Sequence, residues 1–204
     1  NKLETNIYKY HATMIPESSL LSIQIGENPV LLNNSSFIAA ISINSSIAGN
    51  FIVVDYDYGA SFVYKVIYKK SKPVNINFVS SFITGNSSSS AINETDFICS
   101  TIVGNSIVLW DFIRVMTHRI IHFNEAINGC EFDESDGYLW CWSYKTLYLC
   151  SINGNIFASF TSNYKIENAF GAHDKSIIII CNHTENIAFY GQYSNTIMLS
   201  PVNK

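Results

Sequence analysis

Residues 104–112 read GNSIVLWDF. A Gly-Asn turn pair precedes alternating apolar residues, and the run ends in Trp110-Asp111. Period-two alternation marks a half-buried strand, and the turn pair marks it as the second arm of a hairpin. Segments of the same make-up flank it: 51–58 (FIVVDYDY), 61–68 (SFVYKVIY), 96–103 (DFICSTIV), 119–123 (RIIHF), 138–142 (YLWCW) and 146–152 (TLYLCSI). All are rich in β-branched and aromatic residues, and short turn signals separate them (YGA, GN, ESDG, YK, NGN). No segment of helical length has a capped i, i+3, i+4 apolar face. The one candidate helical turn is IENAFGA, 166–172. The chain therefore reads as all-β, built of short antiparallel strands.

Two stretches interrupt the pattern. KKSKP, 69–73, reads as a polar connection whose proline is unfriendly to a central strand. GNSSSSAINET, 85–95, reads as a Ser/Asn-rich surface loop. Neither is long enough to part independent domains, so one 204-residue unit is expected.

The strand ending at Trp110 has equivalents. DYDYGASFVYKV sets Tyr64 at the matching point, SYKTLYLCSING sets Cys150 there, and GQYSNTIMLSPV sets Ser200 there. These anchors lie 46, 40 and 50 residues apart. A period near 40–45 residues with four strands per unit is the mark of a WD-type β-propeller blade. The expected architecture is an incomplete propeller segment of about four degenerate four-stranded blades, at 19–75, 76–126, 127–163 and 164–204, with the last one strand short. Trp110 should be largely buried between its own blade and the next.

SIVLWD, 106–111, followed by YLCSINGNIFASF, 148–160, resembles the C-terminal WD repeats of BEACH-domain proteins. In those repeats a blade ending in Leu-Trp-Asp precedes one reading Val-Trp-Ser-Ile-Asn-Gly, and Ser151, Ile152, Asn153 and Gly154 match the second motif. GQYSNTIMLS, 191–200, resembles the strand pair that follows, so the likeness covers roughly residues 97–200. It implies a cytoplasmic scaffold acting in vesicle traffic or lysosome-related organelles. This chain departs from the pattern where Trp gives way to Cys150 and Ser200, and where the turn Asp gives way to Gly104, Tyr144 and Ser194. The Gly-His opening of a regular repeat survives only as GAH, 171–173. The hydrogen-bond tetrad of regular repeats is therefore not expected, and apolar packing must hold the blades.

Composition narrows the function classes. Apolar residues make up 48% and charged residues 14%, a globular balance with a thin charged coat. The abundance of Ile, Asn, Ser and Tyr fits a bias toward AT-rich codons. A net charge of −4 argues against nucleic acid. The longest strongly apolar piece, SIIIIC at 176–181, falls far short of the ~20 residues of a membrane helix. The first residues, NKLETNIYKYH, lack an initiator Met and an apolar signal core, as in an excerpt or a processed product. The odd set Cys99, Cys130, Cys141, Cys150 and Cys181, with no CxxC, reads as free buried thiols of a reducing compartment.

Candidate chemistry is sparse. His118, His122 and Glu125 could suggest zinc. On a strand, however, residues i and i+4 lie ~13 Å apart, so a solvated outer strand is expected. EFDESDG gathers Glu131, Asp133, Glu134 and Asp136 without calcium-loop spacing and reads as a polar hairpin turn closed by Gly137. Asp55 and Asp57 share a strand face and could form a carboxylate pair, but they read better as residues beside a turn. Cys99 and Cys150 lie in apolar strands, where a thiol is inert. Trp140 and Trp142, flanking Cys141, read as packing residues. No catalytic, cofactor-binding or metal residue is assigned, and no cofactor is expected. The reading is a non-catalytic protein-interaction scaffold, cytoplasmic and at most peripheral to endomembranes, with loops 85–95 and 131–138 as contact candidates. Two alternatives stand. A secreted glycoprotein module would use the sequons at Asn33, Asn34, Asn44, Asn86, Asn93 and Asn182. A catalytic propeller would use Asp55, Asp57 or Asp133.

Overall fold

The structure, a computed structural model, describes residues 12–14, 20–25, 28–33, 40–46, 48–56, 59–84, 90–133, 137–171, 176–181, 183–191 and 196–201. Nineteen strands form five antiparallel sheets, with no helix among the described residues. β1 (Ala12–Met14), β2 (Leu20–Ile25) and β3 (Asn28–Asn33) make a three-stranded sheet. Four four-stranded sheets follow, each contiguous in sequence. Blade I is β4 (Ala40–Ser45), β5 (Phe51–Tyr56), β6 (Ala60–Lys69) and β7 (Lys72–Ile83). Blade II is β8 (Ser90–Asn93), β9 (Ile98–Val103), β10 (Ser106–Asp111) and β11 (Met116–His122). Blade III is β12 (Gly129–Asp133), β13 (Tyr138–Trp142), β14 (Thr146–Ser151) and β15 (Ile156–Thr161). Blade IV is β16 (Ile166–Gly171), β17 (Ser176–Cys181), β18 (Thr184–Gly191) and β19 (Thr196–Pro201).

The first strands of consecutive blades adjoin, β4 to β8, β8 to β12 and β12 to β16. This is the radial order of a propeller, with the first strand innermost. The series does not close into a ring among the described residues. Both faces of an inner blade are buried, and the strands read accordingly. On blade III, Leu139 and Cys141 face Ile107 and Leu109 of blade II. Trp140 and Trp142 instead face Ile177 and Ile179 of blade IV. YLWCW is thus apolar throughout because two interfaces use its alternate residues.

Trp110 sits on β10, the third strand of its blade, as its sequence pattern requires. It is half-buried, and its ring stacks on Phe82 of β7 at 4.9 Å. Its partner is therefore the preceding blade, not the next. Its indole Nε1 donates to Thr101 Oγ1 at 2.8 Å, so one cross-strand link of a polar network is built after all. Strand register places Tyr64 on β6 and Cys150 on β14 at the equivalent point. On blade III the Trp110–Thr101 pair becomes Cys150–Cys141, two buried thiols. Ser200 is not the fourth equivalent: it lies on β19, and the matching residue is the buried Ala188 of β18.

Other expectations need correction. The span 19–75 does not form one sheet, because 20–33 belong to the separate three-stranded sheet and β7 runs on to Ile83. Blade II begins at Ser90 rather than 76. Blade IV has its fourth strand. The segment at Ile166–Gly171 is strand β16, not a helical turn. Lys70 and Ser71 (φ 51° and 60°) turn the chain tightly, so 69–73 is a hairpin rather than a break. Pro73 is tolerated because β7 is the outermost strand of blade I. Residues 90–93, expected in a surface loop, are β8, buried at every position.

Candidate functional site

In blade II the turn joining first to second strand and the turn joining third to fourth lie on one face, as the antiparallel strand order requires. On that face, between blades II and III, a cleft of about 350 Å³ opens. Asp96 and Phe97 reach it from the β8–β9 turn, Ile113 and Arg114 from the β10–β11 turn, and Ile152 from the β14–β15 turn. Asp111 and His118 complete the polar lining.

Local sequence explains each placement. Asp111 ends β10, and its Oδ1 accepts from the backbone N–H of Ile113 (3.0 Å) and Arg114 (2.8 Å). This side-chain turn holds the β10–β11 connection in shape. Arg114 lies 3.7 Å from Asp111 Oδ2 with a largely exposed side chain. Asp96 accepts from the Asn93 amide through Oδ2 (3.1 Å), and Asn93 Oδ1 accepts from the Asp96 backbone N–H. Across the blade interface Gly137 backs Asp96 closely: a Cβ there would lie 3.3 Å from Asp96 Oδ2. His118 falls at a register shift between β10 and β11. Its Nε2 is buried and has no hydrogen-bond partner among the described residues.

Exposed apolar side chains lie in and next to the turns that form this lining. Phe97 is 44% exposed, and Ile113, Val115 and Met116 are each 54% exposed. Phe97 and Val115 also hold left-handed backbone (φ 57° and 56°), a costly conformation for a β-branched or bulky residue. Phe97 is fixed from behind by edge-on contacts with Phe112 (5.8 Å) and with Phe51 of blade I (6.4 Å).

The candidates read from sequence are not brought together. His122 meets Ser106 Oγ through Nδ1 at 2.9 Å on the exposed side of β11, whereas His118 lines the cleft. Glu125 accepts from Tyr148 Oη at 2.6 Å. Burial opposes its charge, but hydrogen bonds from Tyr148, Thr146 and Ser143 outweigh burial and hold its carboxyl below the usual value. Burial, then the Glu125 contact, pushes Tyr148 up to about 12. Among the described residues no three His, Cys, Asp or Glu side chains converge as metal ligands. Glu131 and Asp133 lie within β12, and Asp133 is buried rather than in a solvated turn. Glu134 and Asp136 lie outside the described residues, as does Asp57.

Asp55 is 1% exposed and accepts from Ser61 and, across the blade interface, from Ser90 at 2.6 Å. It ties blade I to blade II. At the other end of β8, Glu94 accepts from the Asn50 amide at 2.8 Å and from Ser46. Burial raises the thiols of Cys99, Cys141 and Cys130, the last to about 12. Trp140 and Trp142 are buried in the packing between blades III and IV. Asn93 is fully buried, so that sequon offers no acceptor in the folded chain.

No family model matches the chain, and no curated protein matches it. Among solved structures the chain is similar to hydrazine synthase of Kuenenia stuttgartiensis, with a TM-score of 0.57 and 11% identity over 80% of this chain. The match takes in 49% of that structure, so this chain spans about half its length. Similarity at this identity is a similarity of fold, the succession of antiparallel sheets.

Proposed function

We propose that the chain is a non-catalytic scaffold that binds a partner protein through the turn face of blade II. One observation carries the reading: exposed Phe97 and Ile113 line a cleft with charged lining, and exposed Val115 and Met116 follow directly in the β10–β11 connection and at the start of β11. Exposed apolar side chains gathered on one surface beside polar groups mark a protein contact site. Two of these residues sit in strained backbone, which structure keeps where surroundings over-determine it. The resemblance to BEACH-family repeats supports placing this scaffold in the cytoplasm, beside trafficking membranes. No helix among the described residues is long and apolar enough to cross a membrane.

The test is site-specific photocrosslinking in cells, with the crosslinker at Ile113 and, as a control, at Lys72 on β7. A discrete adduct from Ile113 that is lost on Phe97→Ser is the expected result. The same adducts from both positions, or none from Ile113, would sink the proposal.

A further inference from the structure

We infer that the cleft between blades II and III recognises a peptide segment of the partner that carries a lysine or arginine between apolar residues. This deepens the scaffold reading and rests on it. Asp96 and Asp111 contribute two negative charges and Arg114 one positive charge, so the carboxylates of the lining outnumber its guanidinium. Asp96 Oδ1 has no hydrogen-bond partner among the described residues; only Oδ2 is engaged, by Asn93. A cation entering beside Asp96 thus meets an unspent carboxylate oxygen.

The intrinsic cation is a weak competitor. Arg114 reaches Asp111 only at 3.7 Å and its side chain is 78% exposed. Such an exposed pair is weak, so a partner cation can displace it at small cost. Asp111 Oδ1 keeps its two backbone N–H bonds throughout, so the turn need not move. His118 Nε2 offers a buried nitrogen that a peptide N–H or carbonyl can satisfy, according to tautomer. Phe97 also lines the cleft, and a cation there gains from an aromatic ring. Ile113 and Ile152 take the apolar neighbours.

The experiment is fluorescence anisotropy of the whole chain with three labelled peptides, each a Leu-X-Leu core in a Gly-Ser frame, with X lysine, arginine or glutamate. The basic peptides should bind about tenfold more tightly than the glutamate peptide, and raised salt should narrow the gap. Asp96→Asn, at an exposed site, should weaken the lysine peptide about fivefold. Arg114→Ala should strengthen it about twofold, an increase that general damage to the fold would not produce. Equal binding of all three peptides, or no change with either variant, overturns the inference. If the Ile113 crosslink persists while the basic peptides fail to bind, only the ligand assignment falls. If both fail, the scaffold reading falls as well.

Discussion

Gly129→Ala tests the blade III packing most sharply. Gly129 opens β12 and lies directly across from Trp142 of β13. The indole folds over the glycine: a Cβ built there would sit 2.0 Å from Trp142 Cζ2, 2.4 Å from Cε2 and 2.7 Å from Cη2. Ordinary carbon contacts lie near 3.5–4.0 Å, so the ring would have to retreat by about 1.5 Å. It has little room to do so, because Trp142 is buried among the blade III and IV residues that include Ile166 and Ile179. Overpacking of this kind costs ~1–3 kcal/mol, and with three ring atoms in collision the upper end, about 3 kcal/mol, is expected. For a chain of this size that corresponds to a midpoint lower by roughly 6–12 °C. Thermal unfolding followed by tryptophan fluorescence measures it. Trp142→Leu in the same chain should cancel part of the loss, since the smaller side chain clears the new methyl. A drop under about 2 °C for Gly129→Ala would refute the register and the ring position together.

Thr101→Val should leave the Trp110 indole N–H without its acceptor and cost ~1–2 kcal/mol, read by urea unfolding, with Trp110→Phe abolishing most of the difference in a double-mutant cycle. Tyr148 titrates at about 12 in the fold against 10.0 for the free side chain, so its contribution is complete below pH 10 and is lost as pH rises toward 12. Ultraviolet titration should show it ionising later than the other tyrosines, and Glu125→Gln should move it down; an unchanged profile would break the Tyr148–Glu125 link. Glu125 runs the other way: its lowered carboxyl stabilises the fold above about pH 4.5 and ceases to do so as the solution is acidified. The five cysteines are buried, and none should react with a thiol reagent at pH 8 before unfolding. One fast thiol would show an interface that opens.

The strand order was legible because the connections before the third strands are short, two or three residues each. Two residues separate β9 from β10, and counting on from such turns carries the register from Trp110 to Tyr64 and Cys150. The count failed at Ser200 because SN at 194–195 looked like the hairpin turn, while the turn actually used contains His183 at φ 58° with no glycine to announce it. β8 was hidden because its four residues carry one branched side chain, and its burial comes from blades on either side. Asp55 looked turn-proximal since its partners Ser61 and Ser90 lie 6 and 35 residues away. The cleft could not be read as a motif, being assembled from three turns and a bulge. One signal was available: the connection 112–115 carries Ile and Val where turns ordinarily carry small polar residues.

The contiguity of the sheets bears on how the chain reaches this state. Every strand in each four-stranded sheet pairs only with its neighbour in sequence. Mean sequence separation between partners is therefore short for an all-β chain, and the entropy of closing each loop is small. Each blade can form as soon as its last strand leaves the ribosome, and it then presents a finished apolar face to the next. Each blade packs on the next, so stability is coupled between nearest neighbours as in a linear array. A substitution at one junction should thus slow the addition of a single blade while leaving earlier ones intact.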